Sequence, residues 1–150
     1  MNVYGYNRTQ FIELGVNDDN IIFSPDFYVS ILPSGGPKGT FIFNKQHPNL
    51  LTIVFDDVLE SGKMWGKDIN DYYDSVAITE EQAKVLYDFL LSIPETANVH
   101  VHCVYGKSRT GAVAKYLKEY RNATVHNVDI DYVNQRVYSL LKELYESTLL

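Results

Sequence analysis

The stretch Asn98 to Leu117, NVHVHCVYGKSRTGAVAKYL, constrains this chain more than any other part of it. Val99, His100, Val101 and His102 alternate apolar and polar, the pattern of a short strand. Cys103 follows directly, Arg109 stands six positions later, and Thr110 and Gly111 come next. Ala112, Val113, Tyr116, Leu117 and Tyr120 then recur at helical spacing. The order is strand, seven-residue loop, helix, with a cysteine opening the loop and an arginine closing it.

A tight loop running into a helix N-terminus aims several backbone N–H groups at one point, where the helix dipole adds partial positive charge. An anion fits such a nest. Gly106 can adopt backbone angles that a side chain forbids. Arg109 can fork onto two oxygens of a phosphate, and Lys107 adds positive charge. The field that holds an anion also stabilises a thiolate, so Cys103 is the candidate nucleophile.

The nine residues His102-Cys103-Val104-Tyr105-Gly106-Lys107-Ser108-Arg109-Thr110 resemble the signature loop of the cysteine-dependent protein tyrosine phosphatases, His-Cys-x-x-Gly-x-x-Arg-Ser/Thr, at every fixed position. The chain is most similar to their small dual-specificity group, and the resemblance extends over about Leu50 to Tyr120. It implies a single-domain α/β fold, with a central mostly parallel sheet flanked by helices and the phosphate-binding loop between a strand and a helix. It also implies phosphomonoester hydrolysis through a cysteinyl-phosphate. Cys103 would attack, and Val104 to Ser108 with Arg109 would bind phosphate. His102 would tune the loop, and the Thr110 hydroxyl would bond the sulfur and ease its departure. A phosphorylated protein is the implied substrate, with RNA 5′-phosphates or phosphoinositides as alternatives inside the family. A phospho-reader without turnover, or rhodanese-like sulfur transfer, is an alternative of another class. No cofactor or metal is required, and four histidines with one cysteine show no zinc spacing.

At 150 residues, with 45% hydrophobic and 21% charged, the chain has the composition of one soluble globular domain. A net charge of −6 disfavours nucleic acid as a partner. No apolar run approaches the roughly 20 residues of a membrane span. The opening MNVYGYNRTQ does not read as a signal peptide, and one free cysteine suits a reducing compartment, so a cytoplasmic location is expected.

Taken in order, Val3 to Tyr6 reads as a strand. Asn7 and Gln10 make a capping box for a short helix that turns Phe11, Ile12 and Leu14 inward and stops at Gly15. Ile21 to Phe23, Phe27 to Leu32 and Thr40 to Phe43 read as strands, with Pro33 to Gly39 as a loop. Leu50 to Phe55, LLTIVF, reads as a central strand. Thr79 and Gln82 box a helix whose inner face is Ala83, Leu86, Tyr87 and Leu90. Asn122 to Asp129 reads as a loop. A last helix from about Asp131 to Ser147 buries Val133, Val137, Leu140, Leu141 and Leu144, in a scaffolding role.

Asp56-Asp57 ends the central strand, where functional groups of α/β proteins gather. Cleaving a phosphate ester needs a proton for the leaving oxygen, and a carboxylic acid can supply it. Alignment by the strand with the dual-specificity enzymes favours Asp57 as that acid over Asp56. The 45 residues between Asp57 and Cys103 exceed a minimal member of the family. The surplus falls in Leu59 to Val76, where Asp68, Asp71 and Asp74 are further acid candidates. There Trp65, Tyr72, Tyr73, Lys63 and Lys67 would either select substrate, form a lid, or cover the core.

Overall fold

A computed structural model describes residues 1–35, 41–65 and 72–149, the side chains of 63–65 and 72–74 excepted. The fold is α/β. Among the described residues, five strands form one all-parallel sheet: β1 (Asn2–Tyr6), β2 (Phe27–Leu32), β3 (Leu50–Val54), β6 (Asn98–His102) and β7 (Thr124–His126), in the spatial order β3-β2-β6-β1-β7. A separate antiparallel pair, β4 (Gly62–Trp65) and β5 (Tyr72–Ser75), lies within the surplus segment. The helices are α1 (Arg8–Glu13), α2 (Glu80–Ser92), α3 (Ser108–Arg121) and α4 (Gln135–Ser147).

Strand alternation sorts the sheet into two faces. Val3, Val29, Ile31, Ile53, Val99 and Val101 share a buried core with Leu86 and Leu90 of α2, Val113 and Leu117 of α3, and Val137 and Leu141 of α4. The opposite face carries Tyr28 and Leu50, covered by Phe11, Ile21 and Phe43. Covering both faces is what a parallel sheet requires.

Both capping boxes form. Asn7 and Gln10 exchange side-chain-to-backbone bonds of 2.8 and 2.9 Å, as do Thr79 and Gln82 at 3.0 Å each. The expected inner face of α2 is buried in full. Its last carbonyls are satisfied from α3, where Arg121 donates to Leu90 and Ile93 oxygens at 2.6 Å each.

Several local expectations are corrected. Only Phe11 of the α1 trio is buried, while Ile12 and Leu14 are exposed, because a six-residue helix presents one narrow face. Ile21–Phe23 is a 3-10 turn, not a strand, because Asn17 accepts from the Asp19 and Asn20 N–H groups and winds the chain beforehand. Residues 41–43 form no strand. The Asp18 carboxylate instead takes the Asn44 and Lys45 N–H groups and ties that segment across the sheet. Position 40 and most of the Pro33 to Gly39 loop lie outside the described residues. The supposed Asn122 to Asp129 loop contains β7, which exists by pairing with the free edge of β1. The last helix begins at Gln135, not Asp131, because Asn134 is its cap.

Thr79→Ala removes one cap acceptor of α2 and is expected to lower stability by about 1 kcal/mol. Urea denaturation monitored by circular dichroism measures this, and an unchanged midpoint would count against the cap.

Candidate active site

Parallel pairing of β6 with β1 and β2 delivers Cys103 to the C-terminal end of the sheet, where β3 also ends. The chain must then turn sharply into α3. Gly106 makes that turn at φ +67°, in the left-handed region. A Cβ there would sit 2.4 Å from the Asn7 nitrogen and 2.5 Å from the Tyr6 carbonyl carbon. No other residue fits without moving backbone. Beside it, Arg8 N–H donates to the Val104 carbonyl at 3.2 Å and pins the loop to the β1–α1 corner.

Among the described residues, the main-chain N–H groups of Tyr105, Gly106 and Lys107 enter no hydrogen bond. The first N–H groups of α3 have no intrahelical acceptor by geometry. The loop therefore offers a run of unused donors at a helix start, which is the make-up of an anion nest.

Cys103 forms the floor, only 2% exposed. Thr110, fully buried on the first turn of α3, donates its hydroxyl to Cys103 Sγ at 3.0 Å. Arg109 is 5% exposed, and its Nη1 donates to the Phe55 carbonyl at 2.7 Å. That bond anchors the guanidinium to the end of β3. Its Nε is buried and has no partner among the described residues. Cys103 and Arg109 share a cleft of about 480 Å³ with Asp57, Tyr105, Lys107 and Tyr132. A larger cleft of about 590 Å³ runs along β3 past Phe43 and His47, and neither Cys103 nor Arg109 lines it.

The two adjacent aspartates have opposite surroundings. Asp56 accepts from Ser34 N–H at 3.0 Å, Ser34 Oγ at 2.6 Å and Val76 N–H at 2.7 Å. Burial pushes its carboxyl up, but these three bonds and the Arg109 charge outweigh it and hold the group below the usual carboxylate range. Asp56 is thus a fastener between the loops that follow β2 and β5. Asp57 turns the other way and lines the cleft. Its Oδ1 accepts from Ser108 Oγ at 2.8 Å and from Asn134 Nδ2 at 2.9 Å. Asp68 and Asp71 lie outside the described residues. Asp74 sits in β5, paired with Lys63, but its side chain is not described, and neither are those of Trp65, Tyr72, Tyr73 and Lys63; Lys67 lies outside as well.

His102 is fully buried. Its Nε2 and Ser30 Oγ share a hydrogen bond of 2.6 Å, and the Phe11 ring packs on it at a centroid distance of 4.3 Å. Nδ1 makes no hydrogen bond of ordinary geometry among the described residues. Burial, opposed by the Cys103 backbone and reinforced by the positive charges of Arg8 and Arg109, pushes its pKa down to about 4.

Three contributors escaped the sequence reading. Asn134 carries the signal of an N-cap ahead of Gln135–Val137, but Asp131 offers an earlier apparent start. Ser30 is a lone hydroxyl inside the apolar strand FYVSIL, a pattern that flags a buried polar partner. Tyr132 is 87% exposed and had no periodicity to mark it. Among the described residues, no group of three or more His, Cys, Asp or Glu side chains could hold a metal ion, and no helix is long and apolar enough to cross a membrane.

No family model, curated protein or solved structure matches the chain.

The buried, neutral His102 makes stability pH-dependent. The unfolded chain takes up a proton near pH 6.5 and the folded chain only near 4, so stability falls as pH drops between those values. The loss is expected to reach on the order of 3 kcal/mol. Urea midpoints across that range test it, and His102→Gln is expected to flatten the dependence.

Proposed function

We propose that this protein is a phosphomonoester hydrolase that works through a cysteinyl-phosphate on Cys103, with phosphorylated protein as substrate. The observation that carries the proposal is the buried Nε of Arg109, without a partner among the described residues, in the cleft whose floor is Cys103. An unsatisfied buried guanidinium N–H is costly, and a bound phosphate oxygen would satisfy it. The unused N–H groups of the same loop suit the remaining oxygens.

In the proposed reaction, the Cys103 thiolate forms a bond to phosphorus while the bond to the leaving oxygen breaks. Asp57 gives that oxygen its proton. Water then attacks phosphorus, Asp57 takes the water's proton, and the sulfur–phosphorus bond breaks to release phosphate. The Thr110 hydroxyl, 3.0 Å from the sulfur, stabilises the departing thiolate. Loop amides and Arg109 follow the charge on the equatorial oxygens throughout. Asp57 is favoured over Asp56 because it lines the cleft, whereas Asp56 has its oxygens engaged by Ser34 and Val76.

Protein substrates are favoured over RNA 5′-phosphates by the net charge of −6. Tyr105 and Tyr132, 77% and 87% exposed at the mouth of the cleft, offer rings rather than a basic track to whatever carries the phosphate. An acid beside the cradle supports turnover over a reader that only binds.

Hydrolysis of p-nitrophenyl phosphate and of a phosphotyrosyl peptide tests the proposal. Cys103→Ser is expected to abolish both, and Arg109→Ala to cost both binding and rate. Asp57→Ala is expected to lower kcat by about 10²-fold or more on the peptide. Asp56→Ala is expected to lower stability more than the chemical step. Turnover that survives in Cys103→Ser would remove the covalent route. Peptide binding without turnover in the unaltered protein would make it a reader.

A further inference from the structure

We infer that Asn134 is a positioning residue for the general acid. The inference rests on the reading of Asp57 as that acid. Asn134 is 4% exposed at the N-cap of α4, and every polar group it owns is engaged. Its main-chain N–H donates to the Ser108 carbonyl at 3.1 Å. Its Oδ1 accepts from Val137 N–H at 3.0 Å, which caps the helix. Its Nδ2 donates to Asp57 Oδ1 at 2.9 Å and reaches the Val58 carbonyl at 3.4 Å. A single residue therefore holds together the start of α4, the start of α3 and the segment after β3.

The consequence for chemistry lies in which oxygen is used. A carboxylate oxygen has two lone pairs in its plane. Asp57 Oδ1 spends both, on Asn134 Nδ2 and on Ser108 Oγ. The transferable proton is then carried on Oδ2. Two donors on one oxygen also fix the rotation of the carboxyl, so Oδ2 is presented in one orientation. Ser108 alone leaves that rotation free, because a single bond to a hydroxyl on the helix start is a hinge. Asn134 supplies the second point and comes from a different helix. Such preorganisation of a catalytic group by a buried neighbour governs rate more than binding.

A merely structural role for Asn134 predicts a different pattern, and leaving-group dependence separates the two. Phenyl phosphate has a poorer leaving group than p-nitrophenyl phosphate and needs the proton more. Asn134→Ala, and Asn134→Ser, which keeps an oxygen for the α4 cap but no amide donor, are compared with Asp57→Ala and the double variants. Each Asn134 variant is expected to lower kcat on phenyl phosphate by about tenfold to a hundredfold, within the range of general-acid effects. A clearly smaller drop is expected on p-nitrophenyl phosphate. KM and inhibition by inorganic phosphate are expected to stay near those of the unaltered protein. The Asn134 change is expected to add nothing once Asp57 is alanine. Equal losses on both substrates, or losses that multiply with Asp57→Ala, would overturn the inference and leave Asn134 as a cap alone. Should Asp57→Ala itself show no leaving-group dependence, the assignment of Asp57 fails first and takes this inference with it.

Discussion

The rest of the site depends on the close approach of Gly106 to the backbone of Tyr6 and Asn7. A missing side chain lets the loop after β6 lie directly on the corner where β1 becomes α1. The Arg8 to Val104 bond fastens it there, and the Asn7–Gln10 capping box makes that corner rigid. The curvature of the loop follows from this seat. Pairing of Tyr6 with His102 across the β1–β6 ladder fixes the height at which the two corners meet. The site is thus a consequence of strand register, not of the loop alone.

Above that seat the polar groups differ in what holds them. Cys103 and Arg109 come from one loop, but each is held from outside it. Thr110 bonds the sulfur from the first turn of α3, and the Phe55 carbonyl anchors the guanidinium from the end of β3. The aspartate pair splits in the same way. Successive residues leaving a strand point to opposite sides. One carboxyl fastens two loops with its oxygens occupied, and the other faces the cleft. The Asp56 carboxylate, partly buried, is held by the hydrogen bonds that replace lost water.

The sheet carries a polar line through its second face that serves the loop from below. His102 lies beneath the turn with Ser30 on one side and the Phe11 ring on the other. An imidazole kept neutral by burial adds no positive charge beneath the cysteine. What it contributes is shape and a fixed hydrogen bond, at the expense of stability under acid conditions.

Much of this is legible in the sequence. The alternation of Val99 to His102, the glycine and arginine spacing and the helical recurrence from Ala112 specify a strand, a tight loop and a helix, and these elements form there. Caps at Asn7 and Thr79 were equally local. Ile21 to Phe23 misled because apolar runs of three do not distinguish a turn from a strand. The short strand Thr124 to His126 has no signal of its own and exists only against β1. What the tertiary structure alone decided is which aspartate faces the cleft, that Arg109 is anchored by Phe55, and that Asn134 reaches Asp57 across 77 residues of chain. Sequence patterns report contacts within a few residues, where one chain geometry governs spacing. Contacts between distant segments depend on how whole elements pack, and no local spacing encodes that.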